Sequence, residues 1–227
     1  MLNPAKARLV ELEHIKPDHV GNVVKIDLED VVSEATKWVN ALVGFVFGAD
    51  PQFTYLSNFV VSNWKLGTEV RLYAVEESGV FIFVFSDHQW KKRIIDEGPW
   101  FLDDGRPLIL KPWEPSVSLI KEVKSVPVWI KLPGLNLHLR TPLVLSKIAS
   151  LIGRPLFAEK LGEEVYNIPR ICVEIDADTA EIPEYVVIET EIDDVAVRQK
   201  LEVECLPPLC KACKKFGHTH DGEVKCT

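Results

Sequence analysis

The residues best suited to chemistry lie near the end of the 227-residue chain, in CKACKKFGHTH, residues 210 to 220. Cys210 and Cys213, at C-x2-C spacing, put two thiolates on one tight turn, and His218 follows after four intervening residues. Thiolates and imidazoles are the groups that close a tetrahedron around Zn2+. Cys226, after seven further intervening residues, is the expected fourth ligand, with His220 or Cys205 as substitutes. The longer loop still closes, because closure entropy grows slowly with loop length. Such a site is structural, since four protein ligands leave no position open for water.

With a metal in place, the residues between the ligands acquire roles. Lys211, Lys214 and Lys215 are placed to meet phosphates. Phe216 has two readings: pushed outward, it is a stacking platform for an unpaired base; turned inward, it is the core residue of the metal turn.

The rest of the composition bounds what this site can belong to. Hydrophobic residues make up 47% and charged residues 26%, enough apolar material for one large globular domain or two small ones. The start, MLNPAKARLVELEHIK, interleaves charged and apolar residues, and the chain has no apolar run of spanning length. The expectation is a soluble intracellular protein of nucleus or cytoplasm, with no membrane partner. Four of the five cysteines fall in the last 23 residues, which favours metal over a disulfide framework. The net charge of -8 is unevenly spread: residues 1–87 carry 7 Lys+Arg against 12 Asp+Glu, 88–160 carry 12 against 7, and 161–227 carry 7 against 15. Only the middle third and the cysteine-rich tail are electrostatically suited to a polyanion.

The elements that must position the tail can be read from periodicity. ALVGFVFG (41–48) is a buried strand, and Phe53, Leu56, Val60 and Trp64 form the stripe of an amphipathic helix. EVRLYAVEESGVFIFVFS gives two strands around a turn at Glu76–Gly79. Ser86 or Asp87 caps a helix through Trp90, Ile94 and Ile95 that stops at Gly98-Pro99, and RPLILKPW is a strand. The order β-α-β-β-α-β is that of a ferredoxin-like unit, shared with RNA-recognition motifs. Gly79–Phe85 echoes the third strand of such motifs, but both of its faces are apolar. Phe81, Phe83 and Phe85 are therefore read as core.

A second α+β region follows. VPVWIKLPG alternates Val126, Val128, Ile130 and Leu132 against Pro127, Trp129 and Lys131, the pattern of a half-buried strand. TPLVLSKIASLIG is a helix with Thr141 as N-cap and Gly153 just past its end. Strands are expected at PLFAEKL, RICVEIDA, EYVVIETEI and AVRQKLEVE, and before the first unit a strand at VVKIDL and a helix at EDVVSEATKW. The expected organisation is an N-terminal extension (1–24), a ferredoxin-like domain (25–118), a second α+β region (119–204) and a CCHC-type zinc knuckle (205–227).

Weaker features are given bland readings. Lys91-Lys92-Arg93 is the solvated side of a helix, and Arg106, Lys111, Lys121, Lys124, Lys131 and Arg140 are the better surface for a nucleic acid. His138 is a loop histidine, and the acidic residues from Glu174 to Glu181 are the outside of a strand. No phosphate-cradling glycine loop, G-x-S-x-G or H-E-x-x-H is present, so nothing argues for an enzyme or a small-molecule substrate.

From about residue 25 onward, GPWFLDDGRPLILKPWEP, VPVWIKLPGL and LPPLCKACKKFGH resemble the plant retrotransposon-associated domain of unknown function that precedes a CCHC zinc knuckle. Members of that family resemble the Gag-like first open-reading-frame product of non-long-terminal-repeat retrotransposons. The resemblance implies nucleic-acid binding, with Cys210, Cys213, His218 and Cys226 matching the knuckle ligands in order, although three extra residues precede Cys226. The expected function is therefore non-enzymatic binding of single-stranded RNA or DNA by a zinc knuckle, with possible self-association. The alternative is an assembly module in which zinc only rigidifies the tail.

Overall fold

A computed structural model describes residues 14, 24–75, 78–115, 123–160, 168–190 and 196–219. The chain divides into two compact units, Met1–Lys37 and Trp38–Thr227. Within the first unit, the described residues before the helix form no strand, in contrast to the expectation for VVKIDL. Helix α1 (Leu28–Trp38) follows, with Glu29 and Asp30 in its first turn and Lys37 in its last. This arrangement complements the helix dipole.

The larger unit begins with the expected alternation. Strand β1 (Ala41–Val46) leads to α2 (Phe53–Trp64), β2 (Arg71–Val75), β3 (Val80–Val84) and α3 (His88–Asp96). A two-residue strand β4 (Trp100–Phe101) and β5 (Pro107–Pro112) complete an antiparallel sheet in the order β2-β3-β1-β5-β4. Asp87 caps α3 by accepting from the backbone N–H groups of Gln89 and Trp90. On α2 the inward stripe is Leu56, Phe59, Val60 and Trp64, whereas Phe53, expected in the stripe, is exposed.

Register decides which side chains share a face. Leu42 lies opposite Phe83 and Val46 opposite Leu108, and this face packs with Phe81, Phe85, Trp64 and Ile94 into one core. Trp64 meets the rings of Phe83 and Phe85 at centroid distances of 5.1 and 5.8 Å. Gly44 sits mid-strand because a Cβ there would come within 2.6 Å of the Phe83 ring and 2.8 Å of Leu110 Cδ2. Val43, Phe45 and Val80, on the opposite face, belong to a second core. Both faces of this sheet are therefore covered, and Phe81, Phe83 and Phe85 are core residues.

That second core is shared with the region after residue 123. Strand β6 (Ser125–Lys131), a 3-10 turn (Leu137–Leu139), α4 (Pro142–Ser150), β7 (Arg154–Ala158) and β8 (Arg170–Asp176) follow in order. Then come β9 (Tyr185–Ile188), β10 (Val197–Lys200) and β11 (Glu202–Glu204). The stretch expected to be one strand, AVRQKLEVE, is broken at Leu201. Strand β10 pairs with β9, while β11 joins an antiparallel sheet in the order β11-β6-β8-β7. Val126, Val128 and Ile130 of β6 lie opposite Ile175, Val173 and Ile171 of β8, and this buried face packs with Leu145 and Ile148 of α4. The two large sheets are separate, yet Val43, Phe45 and Val80 of the first and Val128 and Val173 of the second belong to one core; the boundary expected between residues 118 and 119 lies outside the described residues.

Thr141 caps α4 by accepting from the Val144 N–H, as its position before Pro142 predicts. Gly153, just past the helix, is required by space: a Cβ there would lie 2.4 Å from the Glu174 carbonyl oxygen. No helix among the described residues is long and apolar enough to cross a membrane.

Candidate metal centre

The tail is a tight hairpin. Strands β12 (Leu209–Cys210) and β13 (Lys215–Phe216) pair Leu209 with Phe216 and Cys210 with Lys215. The turn between them is closed by the Lys214 N–H donating to the Cys210 carbonyl at 3.0 Å, with Lys214 at φ 54°. The Gly217 N–H donates to the Pro208 carbonyl at 2.8 Å, and Gly217 takes φ 121°, a conformation that side chains disfavour. These bonds fold Cys213 and His218 back over Cys210.

The ligand atoms of Cys210, Cys213 and His218 consequently all lie within 4.8 Å of one another. Cys213 Sγ and His218 Nε2 are 3.4 Å apart. Cys210 is buried, and the other two are half-buried. Two thiolates and an imidazole at this separation are a donor set that zinc accepts, so the residues present fit the ion. Cys226 and His220, the remaining expected ligands, lie outside the described residues.

Cys205 is not part of the cluster. It is exposed at φ 48°, its thiol donates to the Asp104 carbonyl at 3.4 Å, and its Sγ faces Gly105. Cys205 thus faces Asp104 and Gly105 and lies outside the Cys210–Cys213–His218 group, so it does not act as the substitute ligand that its spacing suggests. The described cysteines form no disulfide.

Phe216 requires the second correction. It is fully buried and belongs to the core shared by the two large sheets. Its N–H donates to the Val123 carbonyl at 2.9 Å, and its own carbonyl accepts from the Val123 N–H at 3.4 Å. The benzyl group is thus an anchor that ties the hairpin to the body, and an outward stacking platform is ruled out in this conformation. Lys211 and Lys214 are exposed on the turn, and Lys215 is half-buried.

The basic middle third is largely engaged within the chain. Lys92 pairs with Asp96, Arg93 with Glu97, and Lys91 donates to the Val39 carbonyl. Arg106 pairs with Asp104 and also donates to the Gly48 carbonyl. The hydrogen bond from Arg106 is the main reason the Asp104 carboxyl lies below its ordinary range. His138 is exposed in the 3-10 turn.

A constellation that composition alone does not single out lies on the outer face of β6. Trp129 stands opposite Cys172 and Glu204, and Cys172 stands opposite Phe157, so the four form one row across β11, β6, β8 and β7. Phe101 of β4 and Phe157 flank the Trp129 ring at 5.6 and 5.2 Å, and the Arg170 guanidinium lies 4.6 Å over it. Glu204 accepts from both Lys131 and Arg170 at 2.6 Å. Partial burial works against ionisation of Glu204, but these hydrogen bonds outweigh it and hold the carboxyl below its ordinary range. The signal available in the sequence is the alternation of VPVWIKL, which places Trp129 and Lys131 on one outer face.

Residues 34–120 match the family model described as "Domain of unknown function (DUF4283)", a domain found in plant retrotransposon-associated proteins. The match covers β1 to β5 and stops before β6 and the cysteine hairpin. No curated protein matches the chain.

Proposed function

We propose that this chain is a non-enzymatic nucleic-acid-binding protein in which a metal-built hairpin and the body that holds it engage single-stranded RNA or DNA. The observation that carries the reading is the convergence of Cys210, Cys213 and His218 within 4.8 Å on a turn that displays lysines. In this reading Zn2+ is held by those three residues with Cys226, as a CCHC knuckle. The order β2-β3-β1-β5 with helices α2 and α3 supports a ferredoxin-like scaffold in this reading, and the match of residues 34–120 to a domain found in plant retrotransposon-associated proteins supports a Gag-like role.

Because Phe216 is buried, the hairpin offers phosphate contacts from Lys211 and Lys214 and carries no stacking of its own. Its position is fixed by the Val123–Phe216 bridge, so nucleic acid meets a knuckle mounted rigidly on the body. Zinc supplies the closure of the turn and no reactive position.

Fluorescence anisotropy of a labelled single-stranded RNA, with zinc and after chelation at low and high salt, tests the proposal. Binding that falls with chelation and with salt is the expected result. Absence of binding, together with self-association in light scattering, would place the assembly module first.

A further inference from the structure

The exposed face of the β11-β6-β8-β7 sheet gathers three aromatic rings around one guanidinium. A groove of about 570 Å³ runs between this face and the loop 101–105, with Phe101, Trp129, Lys131, Arg170, Asp104 and Glu204 in its walls. That volume falls within the range of sites that take small ligands. We infer that this groove, extended along the aromatic row to Phe157, is a binding surface for unpaired nucleobases. The inference rests on the nucleic-acid reading above and adds to it a second, metal-independent contact.

Three features point to a planar, hydrogen-bonding ligand. First, Trp129, the half-buried centre of the row, is joined by Phe101 and by Phe157, the latter 41% exposed. Rings and guanidinium planes are what unpaired bases stack upon. Second, the Arg170 guanidinium is held in place before any ligand arrives, lying over Trp129 and bonded to Glu204. Its Nε is buried with no hydrogen-bond partner among the described residues. An orphaned donor of this kind calls for an acceptor, and base carbonyl and phosphate oxygens are acceptors of that chemistry.

Third, the carboxylates have a defined place. Asp104 is neutralised by Arg106, and Glu204 by Lys131 and Arg170, so neither presents a bare negative charge to phosphate. Their remaining lone pairs accept from exocyclic amines, which adenine and cytosine carry and uracil lacks. The groove should therefore favour adenine- or cytosine-rich strands over oligouridine. The corresponding face of the first sheet, where an RNA-recognition motif would place its aromatics, is not available, because Val43, Phe45 and Val80 are buried there in the shared core.

The test is photo-crosslinking of the full wild-type chain to an adenine-rich single-stranded RNA carrying one 4-thiouridine, followed by mapping of the attached peptide. Crosslinks to Phe101–Gly105, to Trp129–Lys131 or to Phe157 are expected, and they should persist after zinc chelation. Crosslinks confined to residues 210–219 would overturn the inference while leaving the nucleic-acid reading in place. An RNA that neither binds nor crosslinks would overturn both. As a quantitative arm, Phe157→Ala, at the exposed end of the row, should weaken binding about tenfold in a variant that retains a cooperative thermal transition. Full affinity in that folded variant and in Trp129→Ala would count against the row.

Discussion

The backbone of Phe216 is paired with that of Val123, N–H to carbonyl at 2.9 Å in one direction and 3.4 Å in the other, while the Phe216 ring sits at zero exposure in the core of the larger unit. The cysteine hairpin and the body are therefore one cooperative structure. Metal that binds the folded hairpin stabilises everything coupled to it. Chelation should lower the melting temperature of the whole Trp38–Thr227 unit in a calorimetric scan. Phe216→Ala should cost about 3–5 kcal/mol, the range for deleting a buried aromatic ring. A tail that melts separately, with the main transition unmoved, would refute the coupling.

Cobalt substitution examines the ligand set. Co2+ bound by Cys210, Cys213, His218 and Cys226 should give the visible absorption of a tetrahedral site, with thiolate charge-transfer intensity in the ultraviolet. Cys226→Ser should reduce that intensity by about a third, one of the three thiolates expected in a CCHC site. Cys205→Ser should leave the spectrum unchanged, because Cys205 lies against Asp104 and Gly105.

Cysteine reactivity offers a second chemical readout. Cys172 is covered in the row of Trp129 and Phe157, and burial pushes its thiol up to about 12. Only the thiolate reacts with alkylating agents, and it is scarce at mildly alkaline pH when the pKa is so high. Iodoacetamide applied to the native protein should label exposed Cys205 and spare Cys172, as read by peptide mass spectrometry. Labelling of Cys172 at the rate of Cys205 would show that the row opens readily.

Gly153 is hemmed in by backbone, not only by a movable side chain. A methyl group at this position meets the Glu174 carbonyl oxygen at 2.4 Å and Val173 Cγ1 at 3.0 Å. Gly153→Ala should destabilise the protein by about 1–3 kcal/mol, the cost of overpacking a close contact. Urea denaturation that shows no change in midpoint would disprove the steric account.

The acid limb of stability should carry the mark of Glu204. Its carboxyl is depressed on folding by Lys131 and Arg170 against the opposing effect of burial. A depressed carboxyl contributes stability that is present above the ordinary value of 4.5 and disappears as pH falls through the lower folded value. Glu204→Gln should therefore flatten the fall in melting temperature on acidification from that value downward. Parallel profiles for the two proteins would rule this contribution out.

Much of this protein is legible in its sequence because the signals are local. The alternation of VPVWIKL places Val126, Val128 and Ile130 inward and Trp129 outward, Asp87 and Thr141 stand where caps are expected, and C-x2-C-x4-H brings Cys210, Cys213 and His218 onto one hairpin. Each of these depends on residues close together along the chain, where period and turn chemistry leave few alternatives. The fate of Phe216, the exclusion of Cys205 from the ligand cluster, the break at Leu201 and the assembly of Phe101, Trp129, Phe157 and Arg170 were decided by the tertiary structure. They depend on which strands pair and in what register, and a register joins residues far apart in sequence through packing that no local pattern records.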